Sequence, residues 1–325
     1  MKQGQFERLY GDTWRQFESL LAVLDKKKSY SRLENAEQFA PLYRKVCHFH
    51  ALAKERNYSS YLVDRLGELI VRGHQHLYQP RYHTINRFVH FFVMRFPRLL
   101  REQQKYFWVA AAMLYLPAFV FACASIIIPE IVYTMVAPGE VQNFEEMYNP
   151  ANHTLGSARN AETNWYMFGY YINNNISVSF RTFASGLLGG IGSLFFLVFN
   201  GLLFGAIAGH LINVGYDETF FTFVIAHGSF ELTAIIISGA AGLKLGVSLL
   251  CPGNLTRIES LKNAAHIAIQ LIYGVIAMLV VAAFIEAFWS SNNLFAAWQK
   301  YLVGGVLWLA VACYLIFSGR SFGAR

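Results

Sequence analysis

Residues 219–250 read TFFTFVIAHGSFELTAIIISGAAGLKLGVSLL, an apolar run of more than 30 residues whose only charged or titratable side chains are His227, Glu231 and Lys244. One helical crossing of a bilayer needs about 20 apolar residues, so this stretch reads as a membrane segment with length to spare. Residues 177–213 form a second such stretch just before it, and Asp217 and Glu218 lie in the junction. Further apolar runs occupy 107–137, 265–289 and 300–318. The two long stretches share a pattern, Phe196-x-x-x-Asn200-Gly201 and Phe223-x-x-x-His227-Gly228, offset by 27 residues. A polar residue followed by glycine in mid-run predicts broken or re-entrant helices in 177–250, whose freed backbone groups would line a polar site.

The composition of the 325 residues agrees, with 55% hydrophobic and only 14% charged, against roughly 25% charged in an average soluble domain. Charge is also unevenly placed. Residues 1–105 carry 19 Lys and Arg against 10 Asp and Glu, and the remaining residues carry 8 against 10. A basic segment beside an apolar bulk, without zinc, helix-turn-helix or RNA-binding signatures, excludes nucleic acid as the partner and points to the lipid bilayer. Under the positive-inside rule the N-terminus is cytoplasmic. The same rule places Arg257, Lys262, Arg320 and Arg325 inside, which requires an odd number of passes between 176 and 250 and five to six crossings in all. The fold class is therefore an all-α polytopic transmembrane helix bundle.

The first 83 residues predict a cytoplasmic helical domain. Phe6, Tyr10, Trp14, Phe17, Leu21 and Leu24 recur at helical spacing, as do Phe39, Leu42, Val46, Phe49 and Ala53, and then Leu62, Leu66, Leu69, Ile70 and Leu77. Lys26-Lys27-Lys28 reads as a solvated loop. Residues 84–101 interleave Phe88, Phe91, Phe92 and Phe96 with Arg87, His90, Arg95 and Arg98. That is the pattern of an interfacial amphipathic helix, with Pro97 expected to stop it. The transmembrane domain then covers 102–325. It includes an external segment, 138–176, that carries Glu140, Glu145, Glu146 and Glu162 against Arg159 and ends in the aromatic group Trp165 to Tyr171. The Asn152-His153-Thr154 sequon carries no weight, because so short a pattern recurs by chance.

Glycines recur at the spacing that lets helix backbones meet. They are Gly186 and Gly190, then Gly201, Gly205 and Gly209, then Gly242 and Gly246. These predict helix packing, either within one chain or in a homodimer. The intramembrane polar set is Asn174, Asn175, Arg181, Asn200, His210, His227, Glu231, Lys244, His266 and Glu286. His227 and Glu231, four apart, share one helix face. Three readings stay open for them: a polar network tying helices together, a transport pathway, and a metal or catalytic site. The last is the weakest, because His-x-x-x-Glu offers two ligands at most and no H-E-x-x-H is present. No metal or cofactor is expected. Cys47, Cys123, Cys251 and Cys313 form neither a disulfide framework nor a zinc site. The chain has no phosphate-binding loop and no nucleophile elbow, so no enzymatic activity is expected and any ATPase would be a separate cytoplasmic subunit.

Asn174-Asn175 with Phe180 and Phe183, Gly186 to Gly192, Asn200-Gly201-Leu202-Leu203-x-Gly205, His227-Gly228-x-x-Glu231-Leu232, Gly239-x-x-Gly242-Leu243-x-Leu245-Gly246 and Cys251-Pro252-Gly253 follow one another in that order. Over roughly 85–315 they resemble the stage II sporulation protein M family of bacterial integral membrane proteins. The resemblance implies a scaffold in the cytoplasmic membrane that recruits peptidoglycan hydrolases or other envelope proteins, with the N-terminal domain as an addition. A permease-like subunit, with Asn200, His227 and Glu231 along a polar pathway, is the alternative.

Overall fold

A computed structural model describes residues 1–27, 36–77, 84–152, 161–292 and 294–320. Among these residues the regular structure is helical throughout. Two compact units divide the chain, Met1–Thr84 and Ile85–Arg325.

The first unit consists of α1 (Gln3–Lys27), α2 (Ala36–Glu55) and α3 (Ser60–Leu77). Its core is the apolar set that helical spacing picks out: Phe6, Trp14, Phe17, Leu21 and Leu24 meet Phe39, Leu42, Val46, Phe49, Ala53, Leu62, Leu66 and Leu69. Tyr10 and Ile70 pack partly buried at its margin. Phe6 sits among the rings of Tyr10, Trp14, Phe49 and Tyr58, with centroids 5.2–5.9 Å away. On the outer face, α3 is tied to α1 by Arg65 to Glu18 at 3.0 Å and by Arg72 and His76 to Asp25 at 2.6 and 2.7 Å. The Lys26-Lys27-Lys28 run passes out of the described residues, as do His153 and Thr154 of the sequon, Arg159 and Arg325.

The second unit opens with α4 (Thr84–His90), a π-helical turn at Phe91–Arg95 and α5 (Phe96–Glu102). Pro97 does not end this segment. It sits in the first turn of α5, directly after the π turn, a position where proline is tolerated. Six long helices follow: α6 (Gln104–Ile127), α8 (Ala161–Ala184), α9 (Ile191–Asn213), α10 (Asp217–Leu250), α11 (Arg257–Ile285, continued by a π turn at Glu286–Ser290) and α12 (Ala297–Phe317). Between α6 and α8, the short α7 (Pro138–Tyr148) packs across the helix ends. Five of the long helices are apolar and long enough to cross a membrane. The sixth, α8, is more polar, but its 24 residues span about 36 Å at 1.5 Å each.

Packing gives the helix directions. Positions 201, 205 and 209 on α9 lie beside 114, 118 and 122 on α6, so these two helices run parallel. The first half of α8 (Phe168, Tyr171) packs on Ala283 of α11 and Ala287 of the π turn after it, and its end (Thr182, Phe183) on Gly242 of α10. His227 of α10 meets Ser290 after α11, which makes those two antiparallel. Between 176 and 250 lie two helices long and apolar enough to cross a membrane, α9 and α10, preceded by the end of the more polar α8. Arg98, Arg101, Arg257, Lys262 and Arg320 gather at one end, where Arg101 Nη1 donates to the Leu315 carbonyl at 2.7 Å and the Tyr314 hydroxyl to that of Phe92 at 2.6 Å. Burial and the neighbouring Arg320 and Arg98 charges lower the Arg101 pKa from its ordinary value.

Two expectations shift. Both α9 and α10 run unbroken through Asn200-Gly201 and His227-Gly228. The break within 177–250 falls instead at 185–190, a 3-10 turn followed by Gly189 and Gly190 at φ of 66° and 85°, values glycine adopts without strain. The chain thus reverses between α8 and α9 in a few residues. Nor is 138–176 one external segment, since α8 starts at Ala161 and carries Asn174 and Asn175 into the bundle.

Candidate functional site

The packing glycines all face other helices of the same chain. A β-carbon on Gly201, Gly205 or Gly209 would run into the carbonyl oxygens of Leu114, Ala118 and Ala122, so α6 and α9 touch backbone to backbone. Gly186 lies on Gly242, and Gly190 on Gly246, across the α8–α10 crossing. There the Ser193 hydroxyl donates to the Thr182 carbonyl at 2.7 Å, filling the notch that Gly242 leaves.

The predicted polar residues do not converge on one place. Asn200 Nδ2 donates to the Phe196 carbonyl of its own helix at 2.6 Å. Lys244 Nζ stands 5.4 Å from the centroid of the Tyr106 ring, a cation–π contact near the basic end. Arg181 and His266 are exposed. Asn174 is exposed too and donates to the buried Asn175 Oδ1 at 3.1 Å.

His227 and Glu231 are different. His227 is 4% exposed, and its Nε2 lies 3.9 Å from Glu231 Oε2, as their spacing predicts. Glu286 of the π turn joins them from across the α10–α11 interface, and one ligand atom of each of the three residues lies within 4.8 Å of the others. The sequence argument allowed two metal ligands at most, and the fold supplies a third. His227 Nδ1 shares a 3.0 Å hydrogen bond with the Ser290 hydroxyl, and Lys300 Nζ of α12 donates to the Ser290 carbonyl at 3.0 Å. Three helices therefore brace the imidazole.

The cluster lies at the end of the bundle that α7 covers. Tyr148 of α7 stacks edge-on against Phe220 and Phe223 with centroids 5.2 and 6.1 Å away, and Phe223 also contacts the His227 ring. Burial first, and then the nearby Glu286, Tyr171 and Glu231, push the Tyr148 phenol pKa upward. A second polar link, His210 Nε2 to Glu145 Oε1 at 2.7 Å, fastens α7 to the end of α9.

Residues 111–291, more than half of the chain, match the family described as Stage II sporulation protein M. The chain belongs to that family. Residues 4–79 match a separate domain of unknown function, so the helical unit ahead of the bundle has counterparts of its own. An uncharacterized protein of Methanocaldococcus jannaschii is 28% identical over 130 residues, which cover 38% of this chain and 70% of that relative. No solved structure matches significantly. Within the region matched to the Stage II sporulation protein M family, His227–Glu231 was legible from spacing alone. The contributions of Glu286, Ser290 and Lys300 were not, because only the antiparallel docking of α10 on α11 and the turn into α12 brings them in. The visible trace was Glu286 itself, a lone carboxylate closing the apolar run 265–289.

Proposed function

We propose that this chain is a non-enzymatic scaffold of the bacterial cytoplasmic membrane, with its N-terminus inside and α7 outside. The observation that carries this reading is the glycine seam. Backbone contacts at Gly201, Gly205 and Gly209 and at Gly186–Gly242 and Gly190–Gly246 fuse α6, α8, α9 and α10 into one unit. Such close contacts between several helices support a rigid platform over helices that move apart one by one. Asn200 turned to its own backbone, and Lys244 beside Tyr106 at the other end, do not line up with His227 and Glu231 along one pathway. The basic end supports the orientation through the positive-inside rule. The α1–α3 unit would then hold a cytoplasmic partner, and the acidic α7 surface an envelope protein such as a peptidoglycan hydrolase.

Cross-linking in native membranes followed by affinity purification tests this. Recovery of envelope proteins cross-linked through 138–152 is the expected result. Recovery of a cytoplasmic ATPase through α1–α3, together with loss of a transported solute in Glu231→Gln, would replace the scaffold with the permease reading.

A further inference from the structure

We propose that His227, Glu231 and Glu286 bind one divalent transition-metal ion of the Zn²⁺ class, which clasps α10 to α11 beneath the α7 cap. The donor set is one imidazole nitrogen and two carboxylate oxygens from three side chains whose ligand atoms all lie within 4.8 Å of one another. Zinc takes such ligands at about 2.0–2.2 Å, which puts neighbouring donors roughly 3.4 Å apart around a tetrahedral ion. His227 Nε2 and Glu231 Oε2 are already 3.9 Å apart, so side-chain adjustments on the order of 1 Å close the site. Three protein ligands leave a fourth position for water or another oxygen.

The surroundings favour a metal over a bare polar contact. The Ser290 hydroxyl lies 3.0 Å from Nδ1, and an Nδ1–H donated to it would present the Nε2 lone pair to the cluster. Lys300, bonded to the Ser290 carbonyl, steadies that hydroxyl's residue from the α12 side. Three donor side chains from two helices meet within a membrane span, where one divalent cation would join them through a single atom. An imidazole ligand selects against Mg²⁺ and Ca²⁺, which take oxygen donors. The competing arrangement is a proton shared by the two carboxylates.

The test uses the full chain, purified in detergent, stripped with a chelator, reloaded with ZnCl₂ and desalted. Metal is then counted by mass spectrometry, and thermal unfolding is followed with and without chelator. The expected result is one Zn²⁺ per chain, undisplaced by excess Mg²⁺ or Ca²⁺, with the midpoint falling on chelation and recovering on reloading. Glu286→Gln and His227→Ala should weaken binding by at least about tenfold and lose the chelator-dependent shift. Wild-type protein that retains no Zn²⁺ and melts identically with and without chelator would overturn the site in favour of the shared proton, whether or not the variants fold. Equal Zn²⁺ retention by wild type and both variants would assign the metal to other residues and overturn it as well. Neither result depends on which partners the scaffold recruits.

Discussion

The two units of this chain are all-helical, yet they differ in what their closest helix contacts are made of. In α1–α3 the largest side chains are the core: Phe6, Phe17 and Phe39 are fully buried, and Trp14 nearly so. In the membrane unit Phe96, Ile237, Leu271 and Leu279 are buried too, but the tightest seams are lined by small residues, among them Ala110, Ala206, Ala240, Ala268 and Ala282 with the packing glycines, while Trp108, Phe119, Phe195 and Leu309 face outward. Water explains the first case, because burying a large apolar side chain removes it from solvent. Lipid explains the second, since an outward Phe is already in an apolar medium and helices gain only by approaching closely.

That contrast breaks most visibly at its two centres. Phe17→Ala empties a fully buried site and should cost about 3–5 kcal/mol, enough to unfold a small helical unit. Urea titration of the full chain, read by proteolysis within α1–α3, would show the loss, and an effect under about 1 kcal/mol would mean that the core collapses around the gap. In the membrane unit the damaging change is the reverse, adding bulk. Gly205→Leu drives a side chain into the Ala118 carbonyl, where no flexible neighbour can yield, and should cost about 3 kcal/mol. Loss of monodisperse protein on extraction checks it, and normal yield would mean that α6 and α9 can slide apart.

The same difference explains what could be read in advance. Helical spacing named nearly the whole α1–α3 core, because there an amphipathic face and the buried face coincide. In α9 and α10 both faces are apolar, so periodicity says little, and only the glycine spacing marked the contact sides. The pairs Asn200-Gly201 and His227-Gly228 looked like breaks, but both glycines lie within continuous helices, Gly201 receiving the α6 backbone. The true reversal at Gly189-Gly190 was visible only as part of a glycine-rich stretch. Apolarity picks out five long helices and passes over α8, whose polar residues hide a helix as long as a span. At the candidate site, i and i+4 spacing found His227 with Glu231, and no spacing rule reaches across to Glu286.

A smaller effect separates the units by pH. Hydrogen bonds from His76 and then Arg72 lower the Asp25 carboxyl pKa from its ordinary value of 3.8. A lowered folded-state pKa means the stabilisation is fully present above the ordinary value and is lost as pH falls through the folded one. Stability of α1–α3 should therefore decline below about pH 4, and Asp25→Asn should flatten that part of the profile. The Asp25 side chain is 43% exposed, so the effect is modest and should shrink further in high salt. A profile unchanged in Asp25→Asn would show that this pair does not set the acid sensitivity of α1–α3.

The smallest expected effect is the most discriminating. Phe119 lies on α6 with 70% of its surface exposed, on the side away from the seam made by Leu114, Ala118 and Ala122 with α9. If only lipid covers it, Phe119→Ala should change stability by no more than about 0.5 kcal/mol in mild detergent, although the same substitution at Phe17 is ruinous. Side-by-side unfolding of the two variants is the measurement. A cost at Phe119 approaching that at Phe17 would show that its ring is buried against protein in the intact assembly, by a second copy or another chain. The outward aromatic residues of α6 would then be an interface, and the rule dividing the two units would hold only for helix faces that meet lipid.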